Sequence, residues 1–287
     1  MSNDAGRVPV IACVREAWGF LRDNWRLLTP AAAAAAAIAE IGPAAVLLFS
    51  PAGSAAGPSG LGLVVLIPAI LASAMFNATV LRKAVREEFK APIGLDLSSD
   101  EWRLLGVATS IMLLAIPIFL LISVLLTFTA LRSGAGSPEA IEALAANPGA
   151  LAEAMIQAMG PFGSLVLLLA MVGAAAIVIG LVALANAATL GERRIVIFQA
   201  WSWMSGNTLR VFAAILLTVI PTLLATALIG QVVTAVLVST SGETVGVVPY
   251  LLSTTIMNFA GFLLGIPSAA LGAVLYRGLR PANFVSK

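Results

Sequence analysis

Residues 27–50 read LLTPAAAAAAAIAEIGPAAVLLFS, with one ionisable side chain among them, Glu40. As a helix rising 1.5 Å per residue, this stretch reaches about 36 Å, enough to cross a hydrocarbon layer of about 30 Å. Five more apolar stretches follow, at 61–80, 104–131, 162–190, 209–238 and 247–276. Composition agrees with them. Of 287 residues, 60% are hydrophobic and 10% charged, with a mean hydropathy of +1.02, whereas soluble domains carry about 45–50% apolar and about 25% charged residues. Water could not cover that surplus, so lipid is the expected solvent. The chain reads as all-α, a polytopic transmembrane bundle of six spans forming one integral membrane domain over 1–287.

Lys and Arg set the orientation. Arg7, Arg15, Arg22 and Arg26 precede the first stretch. Arg82, Lys83, Arg86, Lys90 and Arg103 separate the second from the third, and Arg193, Arg194 and Arg210 the fourth from the fifth. Arg277, Arg280 and Lys287 follow the sixth. Of the 16 basic residues only Arg132 falls in the other loops. By the positive-inside rule both termini are cytoplasmic, and only an even number of spans keeps these charges on one side. The charged start does not resemble a secretory signal, so the first span is expected to be uncleaved.

Before that span, Ile11, Val14, Trp18, Leu21, Trp25 and Leu28 recur every three or four residues, with Arg15, Arg22 and Arg26 opposite. This pattern predicts an amphipathic helix over 8–26 lying in the cytoplasmic headgroup zone. The tetrad Ser98-Ser99-Asp100-Glu101 has capping-box spacing and predicts a helix start. The loop 133–161 is read as interfacial helices on the outer surface: Ser137, Pro138 and Glu139 suit a helix start, and Leu151, Met155, Ile156 and Met159 form an apolar edge.

The chain also repeats itself. Glu16-Ala17-Trp18-Gly19-Phe20-Leu21 aligns with Gln199-Ala200-Trp201-Ser202-Trp203-Met204, and the same offset pairs Val14 with Ile197 and Asn24 with Asn207. A looser echo, Asn77-Ala-Thr-Val-Leu-Arg against Asn186-Ala-Ala-Thr-Leu-Gly, closes the second and fourth spans. The expected unit is an amphipathic helix plus a transmembrane hairpin, present three times, with Asn24 and Asn207 as elbows because asparagine tolerates αL and caps helix ends. Ala17-Trp18 with Asn24 before a span, six helices and the closing Leu275-Tyr276-Arg277 resemble the membrane-anchor domain found before some bacterial glycerophosphodiester phosphodiesterases. The resemblance implies a bacterial inner-membrane protein in a lipid-related neighbourhood. It does not imply hydrolysis, since these residues include no counterpart of the catalytic domain and no histidine.

Without histidine, and with Cys13 the single cysteine, Ser-His and Cys-His triads and disulfides are excluded. Cys13 reads as a packing residue. No catalytic, cofactor-binding or metal motif is expected, and the protein reads as non-enzymatic. Glu40 is the candidate intramembrane functional residue, because a carboxylate at bilayer depth is costly and needs a partner. With no basic residue at that depth, the candidate partners are Gln231, Asn258, Asn77, Asn186 or a carbonyl freed by proline. Pro43, Pro68, Pro117, Pro221 and Pro267 are each expected to be able to kink a span. Arg15, Trp18, Arg22, Trp25, Arg26, Arg193, Arg194, Trp201 and Trp203 are candidate lipid-headgroup or interface residues. Gly261, Gly265, Ala269 and Ala273, four residues apart, are candidate helix-packing residues. The expected partners are membrane lipids, with another membrane protein or a second copy besides, and no nucleic acid. The leading expectation is a lipid-associated scaffold or partner subunit. The alternative is a small transporter or permease for a lipid or amphipathic substrate, with Glu40 as its protonatable element.

Overall fold

A computed structural model of the chain describes residues 7–49, 62–90, 92–132, 153, 160–163, 165, 178–241 and 247–281. Their regular structure is entirely α-helical: α1 Val10–Ala39, α2 Ile41–Phe49, α3 Gly62–Arg86, α4 Ser99–Arg132, α5 Val178–Glu192, α6 Phe198–Met204, α7 Thr208–Ser241 and α8 Val247–Leu279. Three helical segments are long and apolar enough to cross a membrane: Val10–Val46, Thr208–Leu237 and Val248–Leu279. The outer segment read at 133–161 lies almost wholly outside the described residues, as does the turn at 51–60.

The chain divides into two compact units, Met1–Val107 with Gly180–Lys287, and Ala108–Ile179. The second contains most of α4, including Pro117, which the helix carries without a break. In the first unit α8 packs on α1, α3 and α7, and α1 packs on α3 and α7 as well. The reason lies in side-chain size. Along α1 the buried face is Cys13, Ala17, Leu28, Ala31, Ala32, Ala35, Ala36 and Ala39, so neighbouring backbones come close. Phe76, Val80 and Ile266 from α3 and α8 close over this alanine row. Large apolar side chains point the other way: Ile11 and Trp25 on α1, and Leu209, Leu223, Leu224 and Leu228 on α7, are exposed. An alanine-rich buried face with large apolar side chains also turned outward is an arrangement suited to lipid and not to water.

Two sequence expectations about the path of the chain are corrected. The separate amphipathic helix with an elbow at Asn24 is absent, because α1 runs unbroken from Val10 to Ala39 and Pro30 sits within it. Asn24 does not cap. Its Nδ2 donates to the Phe20 carbonyl one turn back, 3.0 Å away, a bond made within a continuing helix. Asn207 does mark an elbow: Gly206 takes φ +82° after α6, and the Asn207 carbonyl accepts the first backbone bonds of α7, from Arg210 and Val211. The prolines behave unequally too. α3, α7 and α8 pass through Pro68, Pro221 and Pro267 without interruption. Only beside Pro43 does the helix break, at Glu40 between α1 and α2. Pro43 has no N–H to bond the Ala39 carbonyl one turn back, and Gly42 beside it weakens the helix further.

Candidate functional site

Glu40 sits at this break with φ −79° and ψ −11° and is 7% exposed. Its carboxyl turns toward α8, where Thr254 and Asn258 stand one helical turn apart. Thr254 Oγ1 donates to Oε2 over 2.9 Å, and Asn258 Nδ2 donates to Oε1 over 2.5 Å. A carboxylate with a donor on each oxygen satisfies the requirement that buried polar groups be paired. Of the partners considered from sequence, Asn258 is the one used. Asn77 bonds its own helix through the Ser73 carbonyl, and Gln231 is exposed. Thr254 escaped the sequence reading because a threonine in a span normally bonds its own backbone. It does that as well, lying 3.1 Å from the Leu251 carbonyl and 3.2 Å from that of Tyr250.

The hydroxyl therefore has two uses. Facing an ionised Glu40 it donates to the carboxylate. Facing a protonated Glu40 it accepts that proton's hydrogen bond and donates to a carbonyl of its own helix. The Thr254 hydroxyl can thus pair with the carboxyl in either state.

A second polar cluster lies where the charged ends of α1, α3, α4, α5 and α8 meet. Arg82 is 1% exposed and its Nη1 reaches Glu101 Oε1 at 2.5 Å, while Glu101 is fully buried. Arg82 Nη2 also donates to the Gly94 carbonyl at 3.1 Å. Glu101 Oε2 accepts from Ser98 N and Oγ at 2.8 and 2.6 Å, which is the glutamate half of the expected capping box. Arg86 pairs with Asp100 at 2.9 Å and donates to the Leu190 carbonyl at the end of α5. Tyr276 Oη donates to Glu192 at 2.6 Å, and Arg280 pairs with the same carboxylate at 2.8 Å. In the exposed loop after α3, Lys90 bonds Asp96 at 2.5 Å. That hydrogen bond, ahead of other influences, holds the Asp96 carboxyl below the usual aspartate range. The sequence reading missed these pairings because Arg82 meets Glu101, and Glu192 meets Tyr276 and Arg280, only when separate helices pack.

The candidate interface residues fare differently. Trp25 and Trp201 are exposed, Trp18 is half-buried, and the Arg26 guanidinium lies 5.4 Å from the Trp25 ring centre. Arg193 is exposed at φ +53° just past α5, and Arg194 is partly buried beside it. Arg15 and Arg22 line a cleft of about 520 Å³ between α1 and α8. Trp203 requires correction: it is 9% exposed and packs on Tyr276, ring centres 6.1 Å apart, so it belongs to the core. The packing row is corrected at its two glycines. A Cβ on Gly261 or Gly265 would meet nothing within 4 Å, whereas one on Gly272 would lie 2.4 Å from the Ala183 carbonyl. Ala273 is fully buried and Ala269 partly so. The close approach of α8 to α5 is therefore made at Gly272, on the face where the backbones touch. Cys13 is a free, buried thiol, as a packing residue would be.

Helices of this length and apolarity, with many large apolar side chains turned outward, define the class as an α-helical membrane protein. No protein-family model, curated protein or solved structure matches the chain.

Proposed function

We propose that the chain is a multi-pass protein of the bacterial inner membrane, with six spans and both termini cytoplasmic, acting as a non-enzymatic, lipid-associated scaffold or partner subunit. The observation that carries this reading is the closure around Glu40, both of whose oxygens are occupied by α8 donors so that the carboxyl ties α1 to α8. A side chain bonded in this way is a cross-link. Support for the topology comes from the clustered charged ends of α1, α3, α4, α5 and α8, which agree with the one-sided placement of basic residues. The repeat is supported by Ala17 and Ala200, aligned in sequence and both fully buried. It is also supported by a threonine near each repeated Asn: Thr79 donates to Gly94 O at 2.7 Å and Thr189 accepts from Val196 N at 3.0 Å, each holding the loop that follows its helix.

The second reading, a transporter for a lipid or amphipathic substrate, is favoured by Thr254, which accommodates Glu40 in both protonation states. One experiment separates the two. Purified protein in liposomes containing fluorescent phospholipid is held under a pH gradient, and lipid movement between leaflets is followed for wild type and Glu40→Gln. The scaffold reading expects no movement above protein-free liposomes in either. Movement driven by the gradient and lost in Glu40→Gln transfers the assignment to transport.

A further inference from the structure

The cleft between α1 and α8 is lined by charges of both signs in a regular arrangement. Arg15 and Glu16 form one dyad and Arg22 and Asp23 another. Seven residues separate the dyads, so they lie on one face of α1 about 10.5 Å apart along its axis. Gly19 stands midway, and a Cβ there would meet nothing within 4 Å, leaving an open notch between the dyads. From α8, Arg277 borders the notch, its Nη1 donating to the Ala84 carbonyl at 2.8 Å and its Nη2 reaching Glu16 at 2.5 Å. Arg22 Nε is bonded to Asp23 at 3.0 Å. Arg15 has no ionic partner among the described residues. Phe20 and Val274 supply apolar lining.

We propose that this cleft holds a phospholipid headgroup carrying both a phosphate and a primary ammonium. The inference rests on the lipid-associated reading above and names the class of lipid. Three guanidinium groups against two carboxylates leave one cation over, which suits a phosphodiester monoanion at Arg15. Glu16 and Asp23 each keep lone pairs free beyond the single arginine bond they accept, and an ammonium with three N–H donors matches them. A purely anionic headgroup would have its phosphate held but would leave both carboxylates facing a second negative or neutral group. A quaternary ammonium would bring charge but no N–H donor. The apolar lining suits the glycerol backbone and the start of the acyl chains, and a small soluble phosphate would make no use of it.

The test is native mass spectrometry of the full-length protein in detergent with phosphatidylethanolamine, phosphatidylglycerol and phosphatidylcholine of identical acyl chains. Glycerophosphoethanolamine and inorganic phosphate serve as competitors without chains. Wild type is expected to retain phosphatidylethanolamine at least about five-fold over the other two, and Arg15→Ala to lower that retention by about five-fold, the weight of one basic residue near a headgroup. Asp23→Asn should erase the preference over phosphatidylcholine. Gly19→Leu, whose Cβ would meet nothing within 4 Å and which favours the helix, should fold normally and lose the lipid by filling the notch. Glycerophosphoethanolamine should compete weakly and inorganic phosphate not at all. Equal retention of the three lipids, undiminished retention in Gly19→Leu, or full displacement by inorganic phosphate overturns the proposal. Wild type that retains no lipid of any kind counts against the lipid-associated reading itself, whereas lipid retention insensitive to headgroup and to Gly19→Leu overturns the cleft alone.

Discussion

Glu40 and Asn258 lie 218 residues apart in the chain and 2.5 Å apart in the fold. Their bond, with the one from Thr254, joins the end of α1 to the first half of α8 with no charged partner among the described residues. Glu40→Gln keeps the shape and one acceptor oxygen, so thermal unfolding in detergent should change little. Glu40→Ala leaves the partly buried Asn258 amide without its partner, while Thr254 keeps a carbonyl of its own helix, and should cost about 1–3 kcal/mol. Equal loss in both variants would show that charge, and not hydrogen bonding, holds the helices together.

The Arg82–Glu101 pair is the most deeply buried ion pair described, 1% and 0% exposed. Replacing either residue by Ala strands the other charge and should destabilise by about 3–5 kcal/mol. Arg82→Ala with Glu101→Ala should cost less than the sum of the two single losses, with a coupling on the order of 1–3 kcal/mol. A double-mutant cycle by chemical denaturation reads this directly, and additivity would refute it.

Two glycines of α8 should respond in opposite directions. Gly261→Ala meets open space and should stabilise by about 0.5–1 kcal/mol through helix propensity. Gly272→Ala places a Cβ 2.4 Å from the Ala183 carbonyl and should destabilise by about 1–3 kcal/mol through overpacking. Melting temperatures in detergent provide the comparison.

The Asp96 carboxyl is held below its usual value of 3.8, first by the Lys90 hydrogen bond. A depressed carboxylate contributes stability that is complete above its unfolded value and is lost as pH falls through the lower folded one. Lys90→Met should therefore return Asp96 to the ordinary range and remove that acid-side dependence. The readout is an NMR titration of labelled aspartate, and an unshifted Asp96 in the variant would assign the effect to another neighbour.

Reporter fusions at Lys90 and Val285 should show cytoplasmic activity, as the placement of all basic residues but Arg132 requires. Activity of an extracytoplasmic reporter at either position would reverse the proposed orientation.

Much of the molecule is legible in sequence because its terms are local. Hydropathy over some 20 residues places the helices, and the span expected at 209–238 lies within α7, Thr208–Ser241. Ser98 with Glu101 marks the start of α4, since capping is decided within one turn. The cost of a charge in hydrocarbon required a polar partner for Glu40 before any partner was visible. What the sequence could not decide depends on which faces meet. The apolar stripe of α1 reads as one membrane-facing edge, yet it divides in the fold, with Ile11 and Trp25 exposed and Leu28 buried, so periodicity alone does not say which residues turn inward. The alanine face turns inward because only small side chains let α8 approach. The same packing buries Trp203 against Tyr276, makes the contact at Gly272 and not at Gly261, and brings Thr254 to Glu40. A helix continues through Asn24 and breaks before Asn207 because Gly206, at φ +82°, precedes only the second. Hydrophobicity by itself determined that the chain forms membrane-length helices. Close contact between backbones, a property of pairs of helices and not of any single one, decided which residues they bury.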